Sequence, residues 1–235
     1  MHLKRLAAPK FFPIPRKHGK YVVCPSPGPH PKDFCFPLLL IVRDILGMAE
    51  KAKEAKKIIK AREILVDGRA RTDHKFPVGL FDVISIPKIG KNYLVVPSKK
   101  GLELREIEEK DAKEKLCKII GKKMVKGNLV QITMHDGKTF LVRIEEKDKF
   151  KVGDTVRVKL NPEKYEIKEV IEYKEGARVV VIRGANIGKL GRIIKTIKRR
   201  RLEKQKVLVE VEGREIILPK SYVFVLPDNF ELNEM

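Results

Sequence analysis

The sequence predicts a multi-domain α+β protein in which a small helix–hairpin module precedes a β-rich central domain and a small β-barrel. Apolar residues recur at helical spacing between residues 38 and 62, whereas beyond residue 129 short apolar runs alternate with turn signals. The 235 residues suffice for one large domain or for two to three small ones, each with its own core, and three small modules are favoured. Changes in composition place the boundaries at 1–37, 38–105, 106–173 and 174–235.

The first segment, 1–37, is predicted to be an extended basic arm rather than a packed unit. It is rich in proline, which removes backbone donors and favours extended chain. A disordered tail is the alternative, but the high positive charge favours an arm that becomes ordered on a polyanion. The candidate contact residues of the arm are Lys4, Arg5, Lys10, Arg16, Lys17 and Lys20.

The second segment is predicted to contain two helices and a hairpin. The first helix spans about 38–46 and ends at Gly47, and the second spans about 50–62 with one apolar side. A strand at 64–66, the turn Asp67-Gly68 and a return strand follow, with both hairpin arginines on one side by the two-residue period. The positive side chains predicted to form one basic surface are Lys53, Lys56, Lys57, Lys60, Arg62, Arg69 and Arg71.

The third segment is predicted to begin with a short helix at about 109–117 and to continue as strands. His135-Asp136-Gly137 is typical of a hairpin turn between strands 129–134 and 138–144. Further strands are predicted at 155–160 and 165–173. This pattern indicates a small sheet or barrel.

The last segment contains a strand, a tight basic loop at 183–192 and a second strand. Glycine tolerates positive backbone torsions, so the three glycines of this loop suit close approach to a phosphate chain. The pattern resembles a KOW motif, an element of small β-barrels in ribosomal proteins and transcription factors. The loop candidates are Arg183, Asn186, Lys189 and Arg192, and a further basic cluster predicted at a hairpin tip comprises Lys198, Arg199, Arg200 and Arg201.

The net charge of +21 indicates a polyanionic partner, and nucleic acid is favoured over an anionic membrane. A membrane span would need about 20 apolar residues, and the longest apolar run ends at Arg43. The N-terminal residues lack the apolar core of a secretory signal. Three irregularly spaced cysteines indicate a reducing compartment, hence the cytoplasm, and Cys24 and Cys35 lack the usual spacing of zinc ligands. We therefore expect no metal and no cofactor.

Catalysis is not expected. The loop at 184–189 differs from a phosphate-binding P-loop, because three residues rather than four separate its glycines and Leu190 stands where Ser or Thr is required. The five histidines are scattered and show no local nucleophile and base signature. Asp67 and Asp82 are explained by turn chemistry. We therefore expect no small-molecule substrate.

Residues 37–87 resemble the small RNA-binding module shared by a primary small-subunit ribosomal protein, some pseudouridine synthases and tyrosyl-tRNA synthetases. The resemblance lies in residues 54–59, 64–69 and 81–86. Three further motifs, at residues 2–9, 27–30 and 184–191, narrow the family. All of these motifs together are similar to the archaeal and eukaryotic type of the fourth small-subunit ribosomal protein, and the resemblance covers nearly the whole chain.

The resemblance implies a structural, non-enzymatic constituent of the small ribosomal subunit that supports translation in the cytoplasm. Its implied partners are small-subunit ribosomal RNA and neighbouring ribosomal proteins, with the candidates named above contacting phosphates. The lack of a long C-terminal extension favours an archaeal source. The composition, which is rich in Lys and Glu, favours a thermophilic source. The alternatives are an RNA-modifying enzyme with an appended RNA-binding module and a KOW-containing transcription or translation factor.

Overall fold

The computed structural model of the chain describes residues 2–161, 165–197, 205–228 and 230. Strands dominate these residues and helices are few, in agreement with the predicted α+β class. The chain forms two compact units. Unit 1 comprises Met1–Val96, Lys100–Lys115 and Lys159–Glu166, and unit 2 comprises Pro97–Lys99, Leu116–Val158 and Ile167–Met235.

Both principal helices lie in unit 1, where the sequence predicts them. The first, α1 (Leu38–Leu40), continues into a π-helical turn at Ile41–Ile45, and residues 38–42 are fully buried. The second, α2 (Ala52–Lys60), starts where the Glu54 carboxylate accepts the Lys51 backbone N–H at 3.2 Å. Glu54 thus satisfies one of the donors that a helix start leaves unpaired. Helix α2 buries only Ala55 and Ile59, so its lysines point outward. None of the helices in the described part of the chain is long and apolar enough to cross a membrane.

The first nine strands belong mainly to unit 1. They are β1 (Leu3–Lys4), β2 (Tyr21–Val22), β3 (Cys35–Pro37), β4 (Leu65–Val66), β5 (Arg69–Ala70), β6 (Pro77–Gly79), β7 (Val83–Ile86), β8 (Lys91–Ser98) and β9 (Gly101–Ile107). Strands β1 and β2 pair, as do β3 and β6, and a five-stranded sheet has the order β5-β4-β7-β8-β9. Asp67 and Gly68 turn β4 into β5 with φ of 52° and 75°, as a type I′ hairpin turn requires.

The remaining ten strands build two five-stranded sheets, mainly of unit 2. They are β10 (Glu114–Val125), β11 (Leu129–Met134), β12 (Thr139–Arg143), β13 (Thr155–Lys159), β14 (Glu166–Ile171), β15 (Arg178–Val181), β16 (Leu190–Ile197), β17 (Lys206–Val211), β18 (Arg214–Pro219) and β19 (Val223–Val225). Their orders are β12-β11-β10-β13-β14 and β18-β17-β16-β15-β19. Valines on alternate positions of β15, β17 and β19 form the core of the second sheet.

The prediction of a short helix at about 109–117 is wrong. Only a 3₁₀ turn, Asp111–Lys113, precedes β10. The residues Leu116, Cys117 and Ile119 of β10 are buried, and the Ile119 amide donates to the Asp154 carbonyl at 2.9 Å. Burial of these apolar residues in a sheet therefore overrides the helical propensity of the preceding charged residues.

The prediction that residues 1–37 form an extended arm rather than a packed unit is also wrong. The β1–β2 pair closes its N-terminal part, and Phe12 and Ile14 are buried. The Phe12 and Phe36 ring centroids lie 5.8 Å apart. Proline does favour extended backbone locally, but the aromatic residues between the prolines provide enough apolar surface for packing.

Candidate nucleic-acid interface

The lysines of α2 form an exposed, unpaired positive face. Lys53, Lys56, Lys57 and Lys60 are all exposed, and none has a carboxylate partner among residues 2–161, 165–197, 205–228 and 230. Some other lysines of unit 1 do have such a partner, for example Lys113, which lies 3.0 Å from Glu109. The α2 face therefore carries positive charge that the described part of the protein leaves uncompensated.

His74 shows that this positive field reaches the segment after β5. The pKa of His74 is lowered from its ordinary 6.5, first by burial and next by the charge of Lys56, with Lys60 contributing. Its main-chain carbonyl accepts the Leu39 amide at 2.9 Å, which ties this segment to α1. The segment after the hairpin therefore packs on α1 and lies within the field of the α2 lysines.

The two hairpin arginines each lie over an aromatic ring. The Arg69 guanidinium carbon lies 4.6 Å from the centre of the Tyr165 ring, and that of Arg71 lies 4.4 Å from the centre of the Phe76 ring. Arg62, the remaining candidate of this surface, is exposed just past α2 with φ of 60°. The sequence did not predict either contact between an arginine and a ring. Tyr165 lies 96 positions beyond Arg69, and neither Tyr165 nor Phe76 belongs to a motif that indicates such a contact.

A buried ion cluster lies beneath this hairpin, formed by His30, Asp67, Asp82 and Lys115. The Lys115 ammonium lies 2.7 Å from Asp67 Oδ2 and 2.5 Å from Asp82 Oδ1, and its side chain is fully buried. His30 Nε2 lies 2.9 Å from Asp82 Oδ2.

The backbone completes this cluster. Asp67 Oδ1 accepts the Val83 amide at 3.1 Å, and Asp82 Oδ2 accepts the Gly79 amide at 2.9 Å. Burial acts to raise the pKa of Asp82, but His30 and Lys115 outweigh it and hold the pKa well below its usual range. The cluster is structural, because protein groups occupy its carboxylate oxygens.

The N-terminal segment divides its cations into two groups. Lys4, Lys10, Lys17 and Lys20 are exposed, and the Lys20 ammonium lies 5.4 Å from the centre of the Tyr21 ring. Arg16 instead donates to the carbonyls of Arg5 at 2.9 Å, Ala8 at 2.7 Å and Pro9 at 2.6 Å. Arg5 donates to the Pro15 carbonyl at 2.9 Å. These two guanidiniums therefore hold the fold of the segment together.

The glycine loop of unit 2 packs more closely on protein than the sequence suggests. Gly188 has φ of 83°, and a Cβ there would lie 3.0 Å from the Ser98 carbonyl carbon. A Cβ on Gly191 would lie 2.3 Å from the Glu210 carbonyl oxygen. These two glycines are thus explained by contacts within unit 2, without a bound phosphate.

The loop candidates differ in how exposed their side chains are. Arg183 and Arg192 are exposed, and Asn186 is half-buried. The Lys189 ammonium lies 2.5 Å from Glu212 Oε2, so that charge is paired. The cluster Lys198 to Arg201 lies outside the described residues, in the connection between β16 and β17, whose Ile197 and Lys206 pair.

Cys117, His135 and Asp136 bring three potential metal ligands together in unit 2, with ligand atoms within 4.8 Å of one another. Protein groups already engage them. The Lys138 ammonium lies 3.0 Å from Asp136 Oδ2, the Lys118 amide donates to His135 Nδ1 at 3.2 Å, and the thiol lies 3.7 Å from Asp136 Oδ2. A cation would have to displace the ammonium, so the group is better explained as packing around the hairpin turn.

The fold and its surfaces define a class of protein. It is a basic chain of packed units in which several surface cations of the described residues have no carboxylate partner, as in nucleic-acid-binding proteins. The profile of the ribosomal family S4e matches residues 89–165, that of the RS4NT domain residues 1–33, and that of the S4 domain residues 38–84.

Relatives and a solved structure agree with these matches. The small ribosomal subunit protein eS4 of Methanothermobacter thermautotrophicus is 43% identical over 227 residues, covering 96% of this chain and 91% of that protein. The eS4 of Methanocaldococcus jannaschii is 43% identical over 234 residues, covering 97% and 94%. The crystal structure of 30S ribosomal protein S4e from Thermoplasma acidophilum has a TM-score of 0.68 and 30% identity, covering 82% of this chain and 94% of that one. The chain belongs to ribosomal family S4e, as its motifs predict.

Proposed function

We propose that this chain is a structural constituent of the small ribosomal subunit that binds ribosomal RNA through basic surfaces and thereby supports translation in the cytoplasm. Family membership is the first support, since its relatives carry the name of a small-subunit protein. The main structural support for an RNA-binding surface is the set of exposed α2 lysines that have no carboxylate partner among the described residues. Displacement of counterions from RNA by such lysines favours binding at low salt.

The RNA surface in this proposal combines α2 with the hairpin and the segment that follows it. Arg69 and the α2 lysines are exposed and Arg71 is half-buried, whereas Arg16 and Lys189 have partners within the protein. We therefore assign the principal contacts to Lys53, Lys56, Lys57, Lys60, Arg69 and Arg71, with Lys4, Lys10, Lys17 and Lys20 adding charge from the N-terminal segment. Recognition follows RNA shape more than sequence.

The sheet β18-β17-β16-β15-β19 is proposed to be the KOW-type β-barrel. The loop between β15 and β16 contains the glycines of the motif, and buried valines on the strands of this sheet form its core. Arg183, Arg192 and the cluster Lys198 to Arg201 would then give unit 2 its own RNA contacts. The four segments 1–37, 38–105, 106–173 and 174–235 remain our proposal for the division along the sequence, although 106–173 contributes to both units. Neighbouring ribosomal proteins are proposed as further partners.

The chain is not an enzyme, since the relatives that establish its family are ribosomal proteins by name. The alternatives of an RNA-modifying enzyme and of a transcription or translation factor are not favoured. Sedimentation separates these classes. A ribosomal constituent stays with small subunits in a gradient at moderate salt, whereas either alternative would be recovered mainly in the free fraction.

Filter binding to transcribed archaeal small-subunit ribosomal RNA tests the surface itself. Changing Arg69 and Arg71 together to Ala should weaken binding and lower the slope of log affinity against log salt by about 1.5, because each neutralised phosphate contributes about 0.7 to 0.9. The control removes two paired cations of unit 1, Lys88 and Lys91, which lie near Glu63 and Glu106. An equal loss in both double variants would show that net charge, and not this surface, determines binding.

A further inference from the structure

We propose that Tyr165 is a positioning residue for RNA recognition, which holds the Arg69 guanidinium against its ring in position to bind a phosphate of the RNA. This inference rests on the proposed function, because it assigns a role within the same surface. Tyr165 lies far from the helix–hairpin module in sequence, at the end of the segment matched by the S4e family profile. The proposed RNA surface would then be formed by two distant parts of the chain, the hairpin and the segment that contains Tyr165.

Tyr165 contacts the hairpin at two points. Its ring lies beneath the Arg69 guanidinium, 4.6 Å from ring centre to guanidinium carbon. Its hydroxyl donates to the Asp67 carbonyl at 3.0 Å, at the turn itself. Leu160, from the same returning segment, lies against Gly68, since a Cβ on that glycine would be 3.5 Å from the Leu160 carbonyl oxygen. The returning segment therefore contacts the hairpin turn at three successive residues.

Within the described part of the chain, the Arg69 side chain contacts no other polar group. It is exposed, and among residues 2–161, 165–197, 205–228 and 230 its guanidinium has neither a hydrogen-bond acceptor nor a carboxylate. A guanidinium carries five N–H donors that match phosphate oxygens two at a time. The guanidinium lies over the Tyr165 ring and is exposed, so solvent or a bound molecule can reach its donors. In our proposal, these donors bind phosphate oxygens of the RNA.

Stacking on Tyr165 lowers the entropy that Arg69 loses on binding. Ordering a long side chain at an interface costs about 0.5–1.5 kcal/mol, which corresponds to about a two- to twelve-fold loss of affinity. An arginine already held by a ring has lost part of that freedom before RNA arrives. The buried ion cluster contributes to the same end, because Asp67 holds the turn through Lys115 and the Val83 amide.

A double-mutant cycle tests the proposal, with transcribed archaeal small-subunit ribosomal RNA as the probe in filter binding. Tyr165→Leu should weaken binding about three- to ten-fold in the natural background. In the Arg69→Ala background the same change should alter binding less than about 1.5-fold, because the residue that it positions is gone. Tyr165→Phe, which keeps the ring, should bind within about two-fold of the natural chain. Arg69→Lys keeps the charge but not the planar group, and should lose about three-fold or more.

The outcomes separate this inference from the proposed function. If Arg69→Ala itself leaves binding unchanged, the proposed RNA surface fails. If Arg69→Ala weakens binding but Tyr165→Leu does not, or Tyr165→Leu acts equally in both backgrounds, only the positioning role is overturned. A loss for Tyr165→Phe as large as for Tyr165→Leu would also overturn it. Should Tyr165→Leu not fold, as shown by circular dichroism, Arg69→Lys decides: binding equal to the natural chain would count against a role for the stacked plane.

Discussion

Replacing Lys115 with methionine should destabilise unit 1 more than any exposed lysine change. The ammonium is fully buried and bonded to two carboxylates, Asp67 and Asp82. Methionine fills a similar volume but leaves those carboxylates buried without their shared cation. Removing one partner of a buried ion pair costs about 3–5 kcal/mol. The expected loss is a large fraction of the 5–15 kcal/mol by which a domain is typically stable.

The assay is urea denaturation followed by circular dichroism, with amide hydrogen exchange as a local reporter. The Val83 and Gly79 amides donate to the two carboxylates and should exchange faster in Lys115→Met, while the Val209 amide in the core of unit 2 should not change. Lys113→Met is the matched control, because Lys113 is exposed and its pair with Glu109 is worth less than about 1 kcal/mol.

The dependence on pH gives the same prediction an independent check. His30 and Lys115 hold the Asp82 pKa below its ordinary 3.8, against the opposing effect of burial. A depressed carboxyl pKa contributes stability that is present above the unfolded value and is lost as pH falls through the folded value. Without Lys115 the Asp82 pKa rises, so the acid limb of the stability curve should move to higher pH.

Charge balance provides the second variant. Asp67→Asn with Lys115→Met removes one carboxylate along with the cation, and the amide oxygen of Asn can still accept the Val83 N–H. This double variant should recover about 1–2 kcal/mol relative to Lys115→Met alone. The reasoning is refuted if Lys115→Met unfolds at the same urea concentration as Lys113→Met, or if the double variant is less stable than Lys115→Met.

Two further predictions concern packing. Gly191→Ala should cost about 1–3 kcal/mol, since its Cβ would lie 2.3 Å from the Glu210 carbonyl oxygen, whereas Gly176→Asn, at φ of 83° with nothing within 4 Å, should cost little; equal urea midpoints would contradict this. All three cysteines are buried, and burial, followed by the charge of Asp82, raises the pKa of Cys35 to about 12. Native protein at pH 8 should therefore react with a thiol reagent only as fast as it opens, and rapid labelling of any thiol would refute this.

The elements with a local cause could be predicted from sequence. The Asp67-Gly68 turn follows from the tolerance of these residues for positive φ, and the strands of unit 2 follow from period-two alternation of valine and isoleucine. Helix α2 follows from its single apolar stripe. Each of these signals lies within about ten residues, so no knowledge of the tertiary fold is needed.

The features with a distant cause could not be predicted. The buried ion cluster joins residues 30, 67, 82 and 115, and neither His30 nor Lys115 differs in local sequence from an exposed residue. The same holds for Tyr165, whose role depends on the return of the chain to the hairpin. In the N-terminal segment, the prolines predict extended backbone and have no N–H to donate. The packing of this segment depends instead on Arg16, which donates hydrogen bonds to three backbone carbonyls, and the local sequence gives no sign of this.

Net charge alone therefore does not identify which cations of this chain bind RNA. Lys118 illustrates the point: it is buried, it donates to the Lys220 carbonyl at 3.0 Å, and burial followed by the charge of Lys220 lowers its pKa to about 8. Such a lysine contributes to the formal +21 but offers no charge to a partner. Lys115 and Arg16 likewise bond to protein groups, whereas Arg69, which contacts only the Tyr165 ring among the described residues, and the α2 lysines present their charge at the surface. The expected division follows directly: loss of the first group should lower stability, and loss of the second should lower affinity and its salt dependence while the fold persists.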